Sequence, residues 1–176
     1  INKRVFVYGE AKRSSPENVV FELWEYKALT WKKLSAEGPS IIGSRMIAFD
    51  SKRNRLVIPI FTENESVVWE WTGESWEKER CQSICPSYRT RFAFVYSPIE
   101  QAALLFGGLS EKRDQLGDFW KWNGKNWEQI ITTPVPSPRN SVHFAFFKTY
   151  PILYGGSIRK RPPQTELRPR TKCGAG

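Results

Sequence analysis

One aromatic pattern occurs three times along the chain and limits the folds that it can adopt. In WEYKALTW, WEWTGESW and WKWNGKNW (24–31, 69–76 and 120–127), an aromatic residue stands five positions before a tryptophan. A further tryptophan comes two residues before that aromatic residue in each copy. Two of the connections contain Thr-Gly or Asn-Gly, and Asn-Gly favours a tight hairpin turn in which both central residues have positive φ. The pattern therefore predicts three β-hairpins.

The spacing also predicts how the side chains of each hairpin are arranged. Residues i and i+2 of a strand point to the same side of a sheet. Trp120 and Trp122, like their counterparts in the other copies, are expected on one buried face. The residue between the two aromatic positions is Glu25, Glu70 or Lys121, and we expect it on an opposite face that tolerates charge. Because the aromatic cluster recurs at fixed spacing, it indicates packing between repeated units rather than a ligand site.

A second repeated element lies between these hairpins. Short apolar runs occupy 4–10, 55–61, 103–109 and 151–157, and their central residues Val7, Ile58, Leu105 and Leu153 are 51, 47 and 48 residues apart. The last two runs contain Gly-Gly just before their last residue, and we interpret this pair as a turn. Such a period near 50 residues is typical of repeat architectures.

A third element completes the repeating unit. The segments 44–50, 90–96 and 141–147 follow Pro-Ser pairs, which mark a loop before a strand. The unit therefore has four strands: the Pro-Ser-led strand, the apolar strand, the paired-aromatic strand and the Trp-led strand. No segment has a sustained helical period, so an all-β fold is predicted. The first unit lacks its leading strand and the last unit lacks its final two.

These units resemble kelch repeats, which are also found in the central domain of galactose oxidase. The resemblance is carried by Gly107, Gly108, Asp118, Trp120, Trp122, Gly124 and Trp127. A looser copy has Trp69, Trp71, Gly73 and Trp76, and the last unit has Gly155 and Gly156. The strands that follow the first two of these sets begin after Pro138-Arg139 and after Pro86. The resemblance implies a partial kelch-type β-propeller of about four blades of four-stranded antiparallel sheets, with the first and last blades incomplete. Residues 1–157 form one domain in this interpretation, as part of a larger ring or as an open array that needs a partner.

The charge distribution separates the body from the end of the chain. The formal net charge is +9, which could indicate a polyanionic partner. Six of the basic residues follow Ser157, against the single acid Glu166. Residues 158–176 are therefore expected to form a basic, disordered tail, and nucleic-acid binding is not the favoured interpretation. No apolar run is long enough to span a membrane.

No catalytic constellation, cofactor loop or metal pattern is found. Cys81, Cys85 and Cys173 lack the second ligand pair of a zinc site, although a Cys81–Cys85 bridge remains open. His143 is the single histidine, so the copper centre of galactose oxidase, which the resemblance would otherwise suggest, cannot be built. Acidic residues that could bind a cation are interpreted instead as solvated loop charges; they are Glu63, Glu65, Glu111 and Asp114.

The resemblance implies a non-enzymatic recognition module that binds a protein partner through its inter-strand loops. Two alternatives stay open: a fragment of a carbohydrate-active or glycan-binding propeller of the galactose oxidase type, and a purely structural repeat array. The segments 10–18 and 109–118 are the candidate binding loops, because they are long and differ between repeats.

Overall fold

A computed structural model describes residues 5–14, 19–35, 37–41 and 46–158. In this part of the chain the fold is all-β without a helix, which confirms the all-β part of the predicted fold. The strands are β1 (Val5–Arg13), β2 (Val19–Lys27), β3 (Thr30–Ser35), β4 (Ala48–Asp50), β5 (Arg55–Phe61), β6 (Ser66–Trp71), β7 (Trp76–Arg80), β8 (Ala93–Ser97), β9 (Ala102–Leu109), β10 (Gln115–Trp122), β11 (Trp127–Ile130), β12 (Asn140–Phe147) and β13 (Tyr150–Ser157).

The strands form four antiparallel sheets, in each of which successive strands are neighbours. Sheet I contains β1–β2–β3, sheet II contains β4–β5–β6–β7, sheet III contains β8–β9–β10–β11, and sheet IV contains β12–β13. Such meanders follow from short connections, which leave consecutive strands side by side. The two central sheets therefore have four strands each, as the predicted unit requires.

Equivalent residues of the sequence repeat pair in the same register in three sheets. Val7 lies opposite Trp24, Ile58 opposite Trp69 and Leu105 opposite Trp120. The three apolar runs therefore meet the three paired-aromatic strands at the same point. Differences from the prediction lie in the leading strands: β4 begins only at Ala48, and β8 begins at Ala93 after an isolated bridge between Thr90 and Leu109.

Apolar side chains pack between consecutive sheets. Leu23 of sheet I joins Leu56 and Trp71 of sheet II, while Val57 and Val68 of sheet II join Trp120, Trp122 and Trp127 of sheet III. Sheet III in turn contacts sheet IV through Phe106 and Val142. The two central sheets are thus covered on both faces.

That arrangement corrects the expectation of one buried face and one face that tolerates charge. Glu70 and Glu25 are 3% and 8% exposed, so the face opposite the aromatic pair is also buried in sheets I and II. A buried carboxylate needs a charged or hydrogen-bonding partner. For Glu70 the partners are Arg53 and Trp122.

The hairpins are confirmed, but the predicted turn type was assigned to the wrong copies. The two central residues with positive φ occur in the glycine-free hairpin, at Ala28 and Leu29 (50° and 64°). In the Asn-Gly hairpin only Gly124 has positive φ. There the Asn123 Oδ1 atom accepts hydrogen bonds from the backbone N–H groups of Lys125 and Asn126, at 3.0 Å each. The asparagine therefore stabilises a longer loop through its side chain.

The Gly-Gly pairs lie within β9 and β13 rather than in turns, contrary to the prediction. Gly107 and Gly108 have φ of 68° and 114°, which disfavours any residue with a Cβ atom. A Cβ atom on Gly107 would also lie 2.6 Å from the carbonyl oxygen of Arg139. The pair therefore allows the segment before β12 to approach β9 closely, and Gly108 N–H donates a 2.9 Å hydrogen bond to Arg139 O.

Candidate functional site

The long connections of sheets II and III lie at one end of the strands. In an antiparallel meander, the loop between the second and third strands is at the same end as the connection to the next sheet. This end, which we call the long-loop end, includes the segments 62–65, 81–92, 110–114 and 131–139. The other end has only the short turns 51–54, 72–75, 98–101 and 123–126. Loops of variable length on a rigid sheet are typical positions for binding residues.

Backbone hydrogen bonds hold the two connections against the sheets. Thr90 and Leu109 exchange two of them, at 2.9 and 2.8 Å, and Arg139 N–H donates to Leu116 O at 3.0 Å. The 81–92 connection is also closed by a Cys81–Cys85 disulfide, with the Cα atoms 6.1 Å apart. The bridge that the sequence left open is thus present. The connections are therefore ordered, although they lie outside the strands.

Several apolar side chains of the long-loop end face solvent. Ile84 and Ile131 are 71% and 79% exposed, and Val135 is 49% exposed. At the same end, Lys112 and Arg113 border a groove of about 770 Å³, which Pro138 and other residues also line. An end of the sheets that carries both exposed apolar and charged side chains is compatible with a protein-binding surface.

A buried ion pair positions the 81–92 connection. The Arg89 side chain is fully buried and donates two hydrogen bonds to the Asp118 carboxylate, each 2.8 Å long. Trp120 also donates its indole N–H to Asp118. Burial acts to raise the pKa of Asp118, but the hydrogen bonds and positive charge of Arg89 outweigh it and lower that pKa. Asp118, which the resemblance marked as a repeat residue, therefore anchors a loop to sheet III.

A second polar cluster joins sheets II and III. Arg53 donates two 2.7 Å hydrogen bonds to Glu70 and one to Asp50, also at 2.7 Å. Trp122 of sheet III donates its indole N–H to Glu70 at 2.8 Å. Burial acts to lower the pKa of Arg53, but its bonds to Glu70 and Asp50 raise it overall. A Cβ atom on Gly124 would lie 2.5 Å from the guanidinium carbon of Arg53, so glycine leaves room for this side chain.

Four of the eight tryptophans are inaccessible: Trp71, Trp120, Trp122 and Trp127 are buried between sheets. Trp24, Trp69 and Trp76 are partly exposed, and Trp31 is 52% exposed. Lys78 lies over the Trp69 ring, 5.8 Å from its centroid. The buried rings have no free face on which a sugar or base could stack.

The other candidate residues are dispersed. His143 is exposed on β12, with its ring centroid 5.8 Å from that of Tyr154. The Glu65 carboxylate bonds to Lys78 at 2.9 Å, and this hydrogen bond lowers the pKa of Glu65. Glu63 belongs to the same short loop, while Glu111 and Asp114 are in the 110–114 loop. Within the described ranges, no three His, Cys, Asp or Glu residues come together as metal ligands.

The two candidate loops are shorter than the sequence suggested. Residues 10–13 belong to β1, and 15–18 lie outside the described residues. In the other segment, Leu109 ends β9 and Gln115 begins β10, which leaves only 110–114 as a loop. The basic tail, from residue 159 onward, also lies outside the described part of the chain. Where the structure describes the chain, no helix is long and apolar enough to cross a membrane.

Sequence reasoning missed the buried ionic residues Arg53, Glu70 and Arg89. One signal was available for Arg89, because Pro86-Ser87-Tyr88-Arg89 and Pro136-Ser137-Pro138-Arg139 place an arginine at the same position after Pro-Ser. Arg53 had no comparable signal, since the sequence places no arginine at the matching point of the next unit. No protein-family model and no curated protein sequence matches this chain.

Proposed function

We propose that this chain is a kelch-type β-propeller segment of about four blades, the first and last incomplete, that acts as a non-enzymatic recognition module. It binds a protein partner through the long-loop end. The observation that carries the proposal is that exposed apolar side chains stand on long, fixed connections: Ile84, Ile131 and Val135 face solvent on loops that are hydrogen-bonded to the sheets. Burial of such side chains favours association with another protein.

The propeller part of the proposal rests on the repeated sheets. Each central sheet is a four-stranded meander, and each packs against its neighbours through the aromatic hairpins. Radial repetition of such sheets is the architecture of β-propellers. In this arrangement the tryptophans stabilise the contacts between blades, and the loops are left for recognition.

The glycan-binding alternative has less support. Sugar-binding sites commonly use exposed aromatic rings as stacking platforms. In the described loops of the long-loop end, Tyr88 is the single aromatic residue that is not fully buried. A protein partner therefore fits this surface better than a carbohydrate.

A matched pair of double variants tests the proposal. Ile84→Glu/Ile131→Glu places two charges on the long-loop end, and Ile99→Glu/Leu29→Glu places two on exposed apolar positions of the opposite end, where these residues are 54% and 88% exposed. Proteins retained from an extract of the source cells would be quantified by mass spectrometry for each variant. We expect one or more proteins to bind the wild type and the Ile99/Leu29 variant, and to be lost with the Ile84/Ile131 variant. Equal retention by all three, or binding to a glycan array instead, would contradict the proposal.

A further inference from the structure

The loop between β5 and β6 contains an acceptor sequence for N-linked glycosylation. In Asn64-Glu65-Ser66 the asparagine is followed, after one residue other than proline, by a serine, which is the acceptor motif. The chain has seven asparagines, and the other six lack a serine or threonine two positions later. A motif of three residues is short, so the surroundings of Asn64 decide whether it can carry a glycan.

The turn that contains Asn64 is closed without the side chain of this residue. Thr62 N–H donates a hydrogen bond to Glu65 O at 2.9 Å. The Thr62 Oγ1 atom accepts hydrogen bonds from the backbone N–H groups of Asn64 and Glu65, at 3.3 and 3.0 Å. Hydroxyl side chains commonly fix turns in this way. The Asn64 amide takes part in none of these bonds, and the residue is exposed, so the turn presents its side chain to solvent.

The exposure of Asn64 does not depend on further repeat units. Sheet II has all four strands, and sheets I and III already pack against its two faces. Asn64 lies at the long-loop end of these strands rather than on either face. A glycan is bulky and hydrated, so it requires a surface position of this kind. Additional sheets would join sheets I and IV and would leave the 62–65 loop uncovered.

A disulfide beside this loop indicates the compartment. Ser66 O accepts a 3.1 Å hydrogen bond from Cys81 N–H, and Cys81 is bridged to Cys85. Disulfides form and persist in oxidising surroundings such as the lumen of the secretory pathway. Glycosylation at this motif is likewise a feature of secreted proteins. The bridge and the acceptor motif therefore point to the same compartment through different residues.

The third residue of the motif determines when the sugar can be transferred. In the folded chain the Ser66 hydroxyl donates a 2.8 Å hydrogen bond to Pro86 O. The motif requires this hydroxyl, so the transfer precedes the meeting of β6 with the 81–92 connection. In the folded protein the hydroxyl then holds that connection, while the Asn64 side chain stays in solvent.

We propose that Asn64 is a site of N-linked glycosylation on a chain that enters the secretory pathway. The donor is an oligosaccharide that is joined through its anomeric carbon to a lipid pyrophosphate. The Asn64 Nδ2 atom attacks this carbon and a C–N bond forms. The C–O bond to the pyrophosphate breaks, the lipid pyrophosphate leaves, and the amide releases one proton. The glycan goes beyond the proposed function, because it is a group that the chain carries, whether or not a partner binds Ile84, Ile131 and Val135.

Peptide mass spectrometry of the protein isolated from its source cells tests this assignment. Trypsin cleaves after Arg55 and Lys78, and no lysine or arginine lies between them, so Asn64 is released within the single peptide 56–78. We expect this peptide to carry hexose and N-acetylhexosamine. Treatment with peptide N-glycosidase in heavy-oxygen water should then convert position 64 to an isotope-labelled aspartate. Recovery of the peptide 56–78 in its unmodified form alone would overturn the proposal.

Variants of the whole chain, secreted from cultured animal cells, test the motif residue by residue. Asn64→Gln and Ser66→Ala should lose the glycan mass, whereas Ser66→Thr should keep it because threonine also supplies the hydroxyl. Asn126→Gln is the matched control, since Asn126 is an exposed turn asparagine outside the motif, and it should keep the glycan. A glycan that persists in Asn64→Gln, or one that is lost in Ser66→Thr, would refute the assignment. Thermal melting would check that each secreted variant is folded.

Discussion

The repeat provides its own control for the contribution of the Arg89–Asp118 pair to stability. Arg89 and Arg139 make the same two bonds to backbone carbonyls, but among the described residues only Arg89 has a carboxylate partner. Replacing either arginine with methionine keeps most of the apolar stem and removes the charge. A difference between the two variants therefore reports the ion pair and the burial of Arg89.

The size of each effect follows from the exposure of the two side chains. The Arg89 side chain is 0% exposed and the Asp118 side chain is 23% exposed. Asp118→Ala leaves a buried cation without its partner, so we expect a loss of about 3–5 kcal/mol. Arg89→Met leaves a carboxylate that water can reach, and its cost is expected near that of the lost charged hydrogen bonds, about 1.5–3 kcal/mol. Arg139→Met should cost no more than about 0.5 kcal/mol.

Urea unfolding followed by tryptophan fluorescence would give the free energy of unfolding for each variant. The double variant Arg89→Met/Asp118→Ala completes a cycle, and it should be more stable than Asp118→Ala because no unpaired charge stays buried. Equal losses for Arg89→Met and Arg139→Met would show that the ion pair contributes little. A smaller loss for Asp118→Ala than for Arg89→Met would refute the reasoning from burial.

A glycine, the disulfide and the pH dependence give three further expectations. In urea unfolding, Gly107→Ala should lower the free energy of unfolding by about 1–3 kcal/mol more than Gly73→Ala, because both residues have positive φ but only the Gly107 Cβ would contact a backbone oxygen. Equal losses would exclude the close approach of Arg139 O to Gly107. Reducing the Cys81–Cys85 bridge should lower stability by about 2 kcal/mol, the entropy of a short closed loop, and a Cys81→Ser/Cys85→Ser variant should be insensitive to reductant. The pKa of Asp118 is lower in the folded than in the unfolded state, so its contribution to the free energy of unfolding is present above the unfolded pKa of about 3.9 and is lost as the pH falls through the folded pKa. In an acid titration, the free energy of unfolding of Asp118→Asn should therefore fall less steeply below about pH 4 than that of the wild type. An unchanged slope would contradict this assignment.

Strand positions could be predicted because their signals are local. Val7, Ile58 and Leu105 each lie opposite the first tryptophan of a paired-aromatic strand, as the period of the sequence suggests. The type of each turn was harder to predict than the position of each strand. The Asn-Gly dipeptide correctly indicated a hairpin, but Asn123 uses its side chain in a longer loop, since the Trp122–Trp127 pair leaves four residues to be bridged.

The candidate site could be predicted only in outline. Loops were expected to carry recognition, yet the segments chosen from the sequence are partly strand, because β1 extends to Arg13 and β10 begins at Gln115. The exposure of Ile84 and Ile131 could not be predicted from the sequence, since apolar residues in a β-rich sequence are ordinarily assigned to the core.

By itself, the sequence determined the all-β class, the spacing of the strands and the hairpins, because these depend on residues a few positions apart. The tertiary structure decided which polar groups are buried. Arg89 meets Asp118 across 29 residues, and Trp122 meets Glu70 across 52. Alternation along a strand distinguishes its two faces, but only the packing of one sheet on the next shows that both faces are covered. For the same reason, the difference between Arg89 and Arg139, which has no carboxylate partner within the described residues, could not be read from the sequence.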